Sequence, residues 1–182
     1  MATVPWWFGG GLVAALLAVL LSGCANHVPQ TAKAGDETAR LHRLLEDYYQ
    51  ARLALFPLEA SAIGDHRYDD RLTNDISDAH RAQVAALAER CARELEHINR
   101  ARLSEADRLS WDVFRSDLTR IRDGLRFPEH WLPVGKMQDL PTTFVLLGSG
   151  KDVQPFSTVR DYERFLGRVE GFQAWVETAM AN

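Results

Sequence analysis

The densest run of side chains able to do chemistry is Gly64-Asp65-His66-Arg67-Tyr68-Asp69-Asp70. Carboxylates around an imidazole can ligate a metal, pass a proton or line a substrate cleft. The same residue types also build a turn between helices, because glycine admits unusual dihedrals and aspartate satisfies nearby amides. Both readings stay open, and Asp65, His66, Arg67, Tyr68 and Asp69 are the candidate substrate-groove residues. Glu129-His130-Trp131 poses the same choice on a smaller scale: an imidazole beside a carboxylate and an indole suits a binding surface or a packed loop.

The familiar catalytic templates fail on spacing. The chain has no His-Glu dipeptide, so it cannot form a His-Glu-x-x-His zinc helix. No two histidines lie three to five residues apart, and Cys91 has no neighbouring ligand cysteine. Gly148-Ser149-Gly150-Lys151 matches a phosphate loop only in part. The first required glycine falls at Val145, and the magnesium-binding hydroxyl falls at Asp152. Ser149 also lacks the strand–turn–helix setting of a nucleophile elbow. No catalytic residue and no metal ligand is assigned on these grounds.

The chain has 182 residues, a formal net charge of -4, 46% hydrophobic and 25% charged residues. That length suits about one domain of roughly 100–150 residues plus flanking segments. No clustered basic face marks it for nucleic acid. Residues 1–23 contain no charged side chain and no histidine, and Phe8 to Leu21 is an apolar run. It ends in Leu21-Ser22-Gly23-Cys24, which resembles the lipobox of bacterial lipoproteins, where the cysteine thiol is lipidated and becomes the new N-terminus. The competing reading is an uncleaved anchor, but Val4 to Leu21 is marginal against the about 20 residues a spanning helix needs. Residues 1–23 are therefore expected to be a lipoprotein signal peptide, Cys24 the lipidation site, and 24–35 a small-residue tether. Ala25 in place of aspartate points to the periplasmic face of the outer membrane, with the membrane as partner through the lipid. A lipidated Cys24 leaves Cys91 without a partner in the chain, and its place on an apolar stripe predicts a buried thiol.

These residues must be positioned by helices, since apolar side chains recur at spacings of three and four from Asp36 onward. Asp36 is a candidate N-cap, followed by Leu41, Leu44, Leu45, Tyr48, Arg52 and Leu55, with a stop near Phe56 before Pro57. A second helix starts at Ser77 and carries Val84, Leu87, Cys91, Leu95 and Ile98. A third opens on Ser104-x-x-Asp107 and carries Trp111, Phe114, Leu118, Ile121 and Leu125. A fourth opens on Thr158-x-x-Asp161 and carries Tyr162, Phe165, Val169, Phe172 and Val176. With no sustained alternation, the expected class is all-α, with about four amphipathic helices.

Between the third and fourth helices, residues 127–157 read as a proline-punctuated loop, unusually long for a compact domain. It holds Trp131, Leu132, Met137, Leu140, Phe144, Leu146, Leu147 and Phe156, which predicts packing into a groove. Within it, Val145-Leu146-Leu147 reads equally as a short strand or a buried loop.

Two stretches resemble a bacterial family, domain-of-unknown-function family 885. One runs Phe56-Pro57-Leu58-Glu59-Ala60-Ser61-Ala62-Ile63-Gly64-Asp65-His66-Arg67-Tyr68-Asp69-Asp70-Arg71-Leu72. The other runs from Gln154-Pro155-Phe156-Ser157 through Thr158-Val159-Arg160-Asp161-Tyr162 to Val169. The resemblance implies a longer, mostly helical, exported protein resembling zinc peptidases of the gluzincin kind. Its His-Glu-x-x-x-Gly-His-His-type metal motif lies downstream of anything present here. On that resemblance residues 36–182 correspond to an N-terminal helical segment, inactive alone. Zinc belongs to the full-length family, and a peptide substrate or a separate C-terminal part is the implied partner. The last helix runs out at Met180-Ala181-Asn182 without a glycine or proline stop, as a cut segment would. The other expectation is a non-enzymatic helical envelope lipoprotein with a binding or structural role.

Overall fold

The structure, a computed structural model, describes residues 34–135 and 139–182. The expected signal peptide, Cys24, most of the tether and Met137 lie outside the described residues. The elements are α1 (Ala34–Leu55), α2 (Pro57–Ala62), α3 (Asp78–Glu96), α4 (Glu105–Gly124), α5 (Leu140–Gly148) and α6 (Val159–Ala181). Short 3-10 turns cover His66–Tyr68, Arg100–Arg102 and Glu129–Trp131. Among the described residues there is no strand, and the fold is all-α.

Helix boundaries follow local chemistry. α1 ends at Leu55 because Pro57 disfavours helical geometry at Phe56, which sits at φ -124 and ψ 71. Pro57 then opens α2 at a first-turn position where its missing amide hydrogen costs nothing. The Ser77 hydroxyl accepts from the His80 amide at the start of α3, and Ser104 does the same for Asp107 at α4. Thr158 and Asp161 form a full capping box on α6. The expected starts at Ser77, Ser104 and Thr158 therefore hold. α1 begins at Ala34, so Asp36 is a first-turn residue rather than a cap and the tether's last two residues are helical.

α1, α3 and α4 enclose the main core. Leu41, Leu44, Leu87, Cys91, Leu95, Ile98, Leu103, Phe114 and Leu118 are all buried there. Each large apolar side chain so buried contributes about 1.5–3 kcal/mol relative to leaving it in water. The Tyr48 ring meets the Phe114 ring edge-on at 4.9 Å, and the Trp111 indole donates to the Leu95 carbonyl at 3.2 Å. Cys91 is a free, buried cysteine, as its stripe predicts, and burial pushes its thiol pKa up.

Four further expectations need correction. The described chain forms six α-helices rather than about four, because α2 and α5 are too short for periodicity to register. Val145-Leu146-Leu147 is helical, within α5, where the Asp139 carboxylate caps the Thr142 amide at 2.8 Å and Pro141 occupies the first turn. Only Leu147 of the three is buried; Trp131, Leu132, Val145 and Leu146 are exposed, so the 127–157 segment does not pack away as a whole. The buried line of α6 is also displaced from the apolar stripe. Asp161, Arg168 and Trp175 are its buried residues, while Tyr162 and Val169 are exposed.

Candidate functional site

The displaced stripe of α6 leads to the site. Gly167 and Gly171 lie four residues apart on one face of the helix, against the backbone of Asp70 to Leu72. A Cβ at Gly167 would collide with the Asp70 carbonyl oxygen, and one at Gly171 would lie 2.6 Å from the Leu72 carbonyl oxygen. This close backbone approach brings Arg168 over the 64–72 segment, where it has no solvent exposure.

Each of the three guanidinium nitrogens of Arg168 donates a hydrogen bond. Nε donates to the Arg71 carbonyl at 3.2 Å and Nη1 to the Gln154 side-chain oxygen. Nη2 donates to the Ser61 hydroxyl at 2.5 Å, the Asp69 carboxylate at 3.3 Å and the Tyr68 carbonyl at 3.5 Å. Burial pushes the Arg168 pKa down, with the Asp69 and Asp70 charges opposing that shift. A buried guanidinium requires this compensation, since an unpaired one would carry a desolvation penalty of several kcal/mol. Ser61, Asp69 and Gln154 are themselves buried.

Asp69 divides its two oxygens. Oδ1 receives the Ser61 hydroxyl at 2.6 Å and Arg168, while Oδ2 lies 2.8 Å from His66 Nδ1. Ser61, Asp69 and His66 thus adjoin, but not as a nucleophilic triad. The hydroxyl is bonded to the carboxylate and to the Pro57 carbonyl (3.2 Å) rather than to the imidazole, and it accepts from a cation. The arrangement holds an imidazole through a carboxylate fixed from behind.

The remaining candidate residues form the turn that carries His66. Gly64 sits at φ +81, a conformation that a side chain would strain. Asp65 accepts from the Arg67 amide at 3.1 Å and from the Arg67 guanidinium at 2.6–3.0 Å, and that bonding holds the Asp65 carboxyl below its usual range. Arg67 also reaches Gln50 on α1 at 2.7 Å. Tyr68 is half-buried, with the Arg67 and Arg71 guanidiniums 5.3 and 5.4 Å from its ring centroid. The structure therefore brings together all five candidates. Sequence reasoning missed Ser61, Gln154 and Arg168, whose signal was an arginine set between Phe165 and Phe172 on an apolar stripe.

The other motifs have structural places. Ser149 follows the C-terminal end of α5, where its hydroxyl donates to the Leu146 carbonyl at 2.6 Å. A helix C-terminus repels phosphate, so 148–151 is no phosphate loop. Glu129-His130-Trp131 is a 3-10 turn whose His130 carbonyl accepts from the Asn182 side chain at 3.2 Å. No group of three His, Cys, Asp or Glu side chains among the described residues could hold a metal ion, so these residues do not fit a zinc site. No helix among the described residues is long and apolar enough to cross a membrane. A cavity that touches the end of the segment, between the α1–α2 elbow and Leu72, measures about 90 Å³. That is well below the about 300 Å³ of an ordinary small-molecule pocket.

No curated protein and no solved structure matches the chain. A family model described as "Bacterial protein of unknown function (DUF885)" matches residues 57–182, a span that contains Ser61, the 64–72 turn, Gln154 and Arg168.

Proposed function

Since the chain belongs to the bacterial family DUF885, we propose that it is an exported lipoprotein, anchored through Cys24, whose helices serve a zinc-dependent, peptidase-like hydrolase. In this reading α1, α3 and α4 form a scaffold, and the 64–72 turn lines the groove that receives a peptide substrate. The chain has no catalytic centre of its own, and the zinc and its ligands come from the part of the hydrolase that resembles the gluzincins. Zinc would supply Lewis-acid activation there, and none of the residues described above takes part in that step.

The observation that carries the reading is the joint itself. Arg168 ties the two stretches that resemble the family, although they are separated by about ninety residues of sequence. Side-chain bonds that hold a surface turn this firmly suit a binding wall more than a passive connector. Support also comes from α5 and α6, where Val145, Leu146, Val159, Tyr162 and Leu166 are exposed. Exposed apolar side chains on these two helices are compatible with another polypeptide part packing there.

A second reading, a non-enzymatic helical envelope lipoprotein, draws on the closed core of α1, α3 and α4. Isolation of the native assembly from membrane extracts, with an antibody against 36–182, separates the two. The hydrolase reading expects an N-terminal lipid-modified Cys24 and about one equivalent of zinc in the assembly. A lipidated but zinc-free assembly supports the second reading, and an unlipidated chain rules out both.

A further inference from the structure

Among the described residues there are two imidazole–carboxylate pairs, and they are built in opposite senses. His42 Nε2 lies 2.8 Å from Asp107 Oδ1, and the Thr38 and Ser104 hydroxyls occupy the other carboxylate oxygen at 2.9 and 2.8 Å. There the outer ring nitrogen is used up by the carboxylate. His66 instead spends its inner nitrogen, Nδ1, on Asp69. Its side chain is half exposed, and its Nε2 has no hydrogen-bond partner among the described residues.

An ionised carboxylate only accepts hydrogen bonds, so the neutral His66 ring carries its proton on Nδ1 and the lone pair on Nε2. The carboxylate that enforces this has no freedom to rotate away. Asp69 is wholly buried, and its Oδ1 is pinned by the Ser61 hydroxyl and by Arg168, which Gln154 holds in turn. A carboxylate aligned in this way fixes both the tautomer and the ring orientation of its histidine. On an exposed turn an imidazole needs neither for stability. Both are what a proton acceptor needs.

We infer that His66 is a proton acceptor with a preset tautomer, and that Ser61, Gln154 and Arg168 are positioning residues that act on it through Asp69. The partner group is an O–H or N–H donor on a molecule lying along the 64–72 turn. Its proton goes to Nε2, the bonding pair stays on the donor atom, and the resulting imidazolium rests against the Asp69 carboxylate. The identity of the donor rests on the groove reading above; the tautomer does not.

The test uses the full chain labelled with ¹⁵N-histidine, with His66→Gln to assign the resonance. The neutral form of His66 is expected to show a protonated Nδ1 and a bare Nε2. Diethyl pyrocarbonate, which acylates an unprotonated ring nitrogen, should then modify His66 several-fold faster than the buried His80. Asp69→Asn should relax His66 to the tautomer mixture of the exposed His97. If that variant does not fold, the tautomer of the unaltered chain is already decisive. A neutral His66 protonated at Nε2, a tautomer mixture matching that of His97, or acylation no faster than at His80 overturns the inference. A zinc-free native assembly would remove the hydrolase reading while leaving this result untouched.

Discussion

At the scale of single residues, His80 shows how burial creates a pH dependence. It lies in the first turn of α3, is 6% exposed, and neither ring nitrogen has a hydrogen-bond partner. The Phe56 ring meets it edge-on at 5.2 Å. Burial pushes its pKa down, and the nearby Asp75 charge opposes the shift only in part. The positive end of α3 also disfavours a cation there. Below the ordinary histidine value of about 6.5, the unfolded chain binds a proton that the folded chain refuses. Stability is therefore full above that value and falls as pH drops from it toward the folded-state pKa. The melting temperature should fall between about pH 7.5 and about pH 5.5, and His80→Phe should flatten that decline. Equal slopes for the two proteins would show that His80 does not carry it. The partners of single residues were the least legible part of the sequence. Nothing in residue order reveals that Asp69 faces inward while Asp70 faces solvent, because a short turn can present either.

At the scale of elements, α6 is the informative case. Its start at Thr158 and its helical run follow from capping and period alone. Its buried face does not, because burial there is decided by two glycines and an arginine rather than by apolar residues. Hydrophobic periodicity places the face at Tyr162, Val169 and Val176, one residue away from Asp161, Arg168 and Trp175. The Trp175 indole donates to Asp75 at 2.9 Å, and Asn74 donates to Thr178 at 2.7 Å, so polar bonds line this contact along its length. The close approach predicts a contrast among glycines. Gly167→Ala or Gly171→Ala should destabilise by about 1–3 kcal/mol in denaturant unfolding, because backbone on the other side cannot yield. Gly124→Ala, at the end of α4 with nothing within 4 Å, should be neutral or stabilising by up to about 1 kcal/mol. Equal effects at all three would mean that α6 does not lie against 70–72. The short helices escaped sequence reasoning for a different reason: α2 spans six residues and α5 nine, too few turns to display a period.

At the scale of the whole molecule, the class was legible because four long apolar stripes, three of them opening on proper caps, build helices and leave no alternation for a sheet. The candidate turn was legible as a cluster, and the comparison with the family model covers both stretches singled out for it. What residue order could not supply was the joint between them. Ser61 and Arg168 are 107 positions apart, and only the fold shows that they share one buried network with Asp69. The account holds that this network, rather than apolar packing, fastens α6 and the Gln154 loop to the 61–72 segment. The direct measurement is a double-mutant cycle by denaturant unfolding with Arg168→Met, Asp69→Asn and the pair together. Each single change should cost about 3–5 kcal/mol by stranding its partner in the interior, and the double should cost no more than either alone. Costs that simply add in the double variant would mean that Arg168 and Asp69 act separately, and would contradict the account.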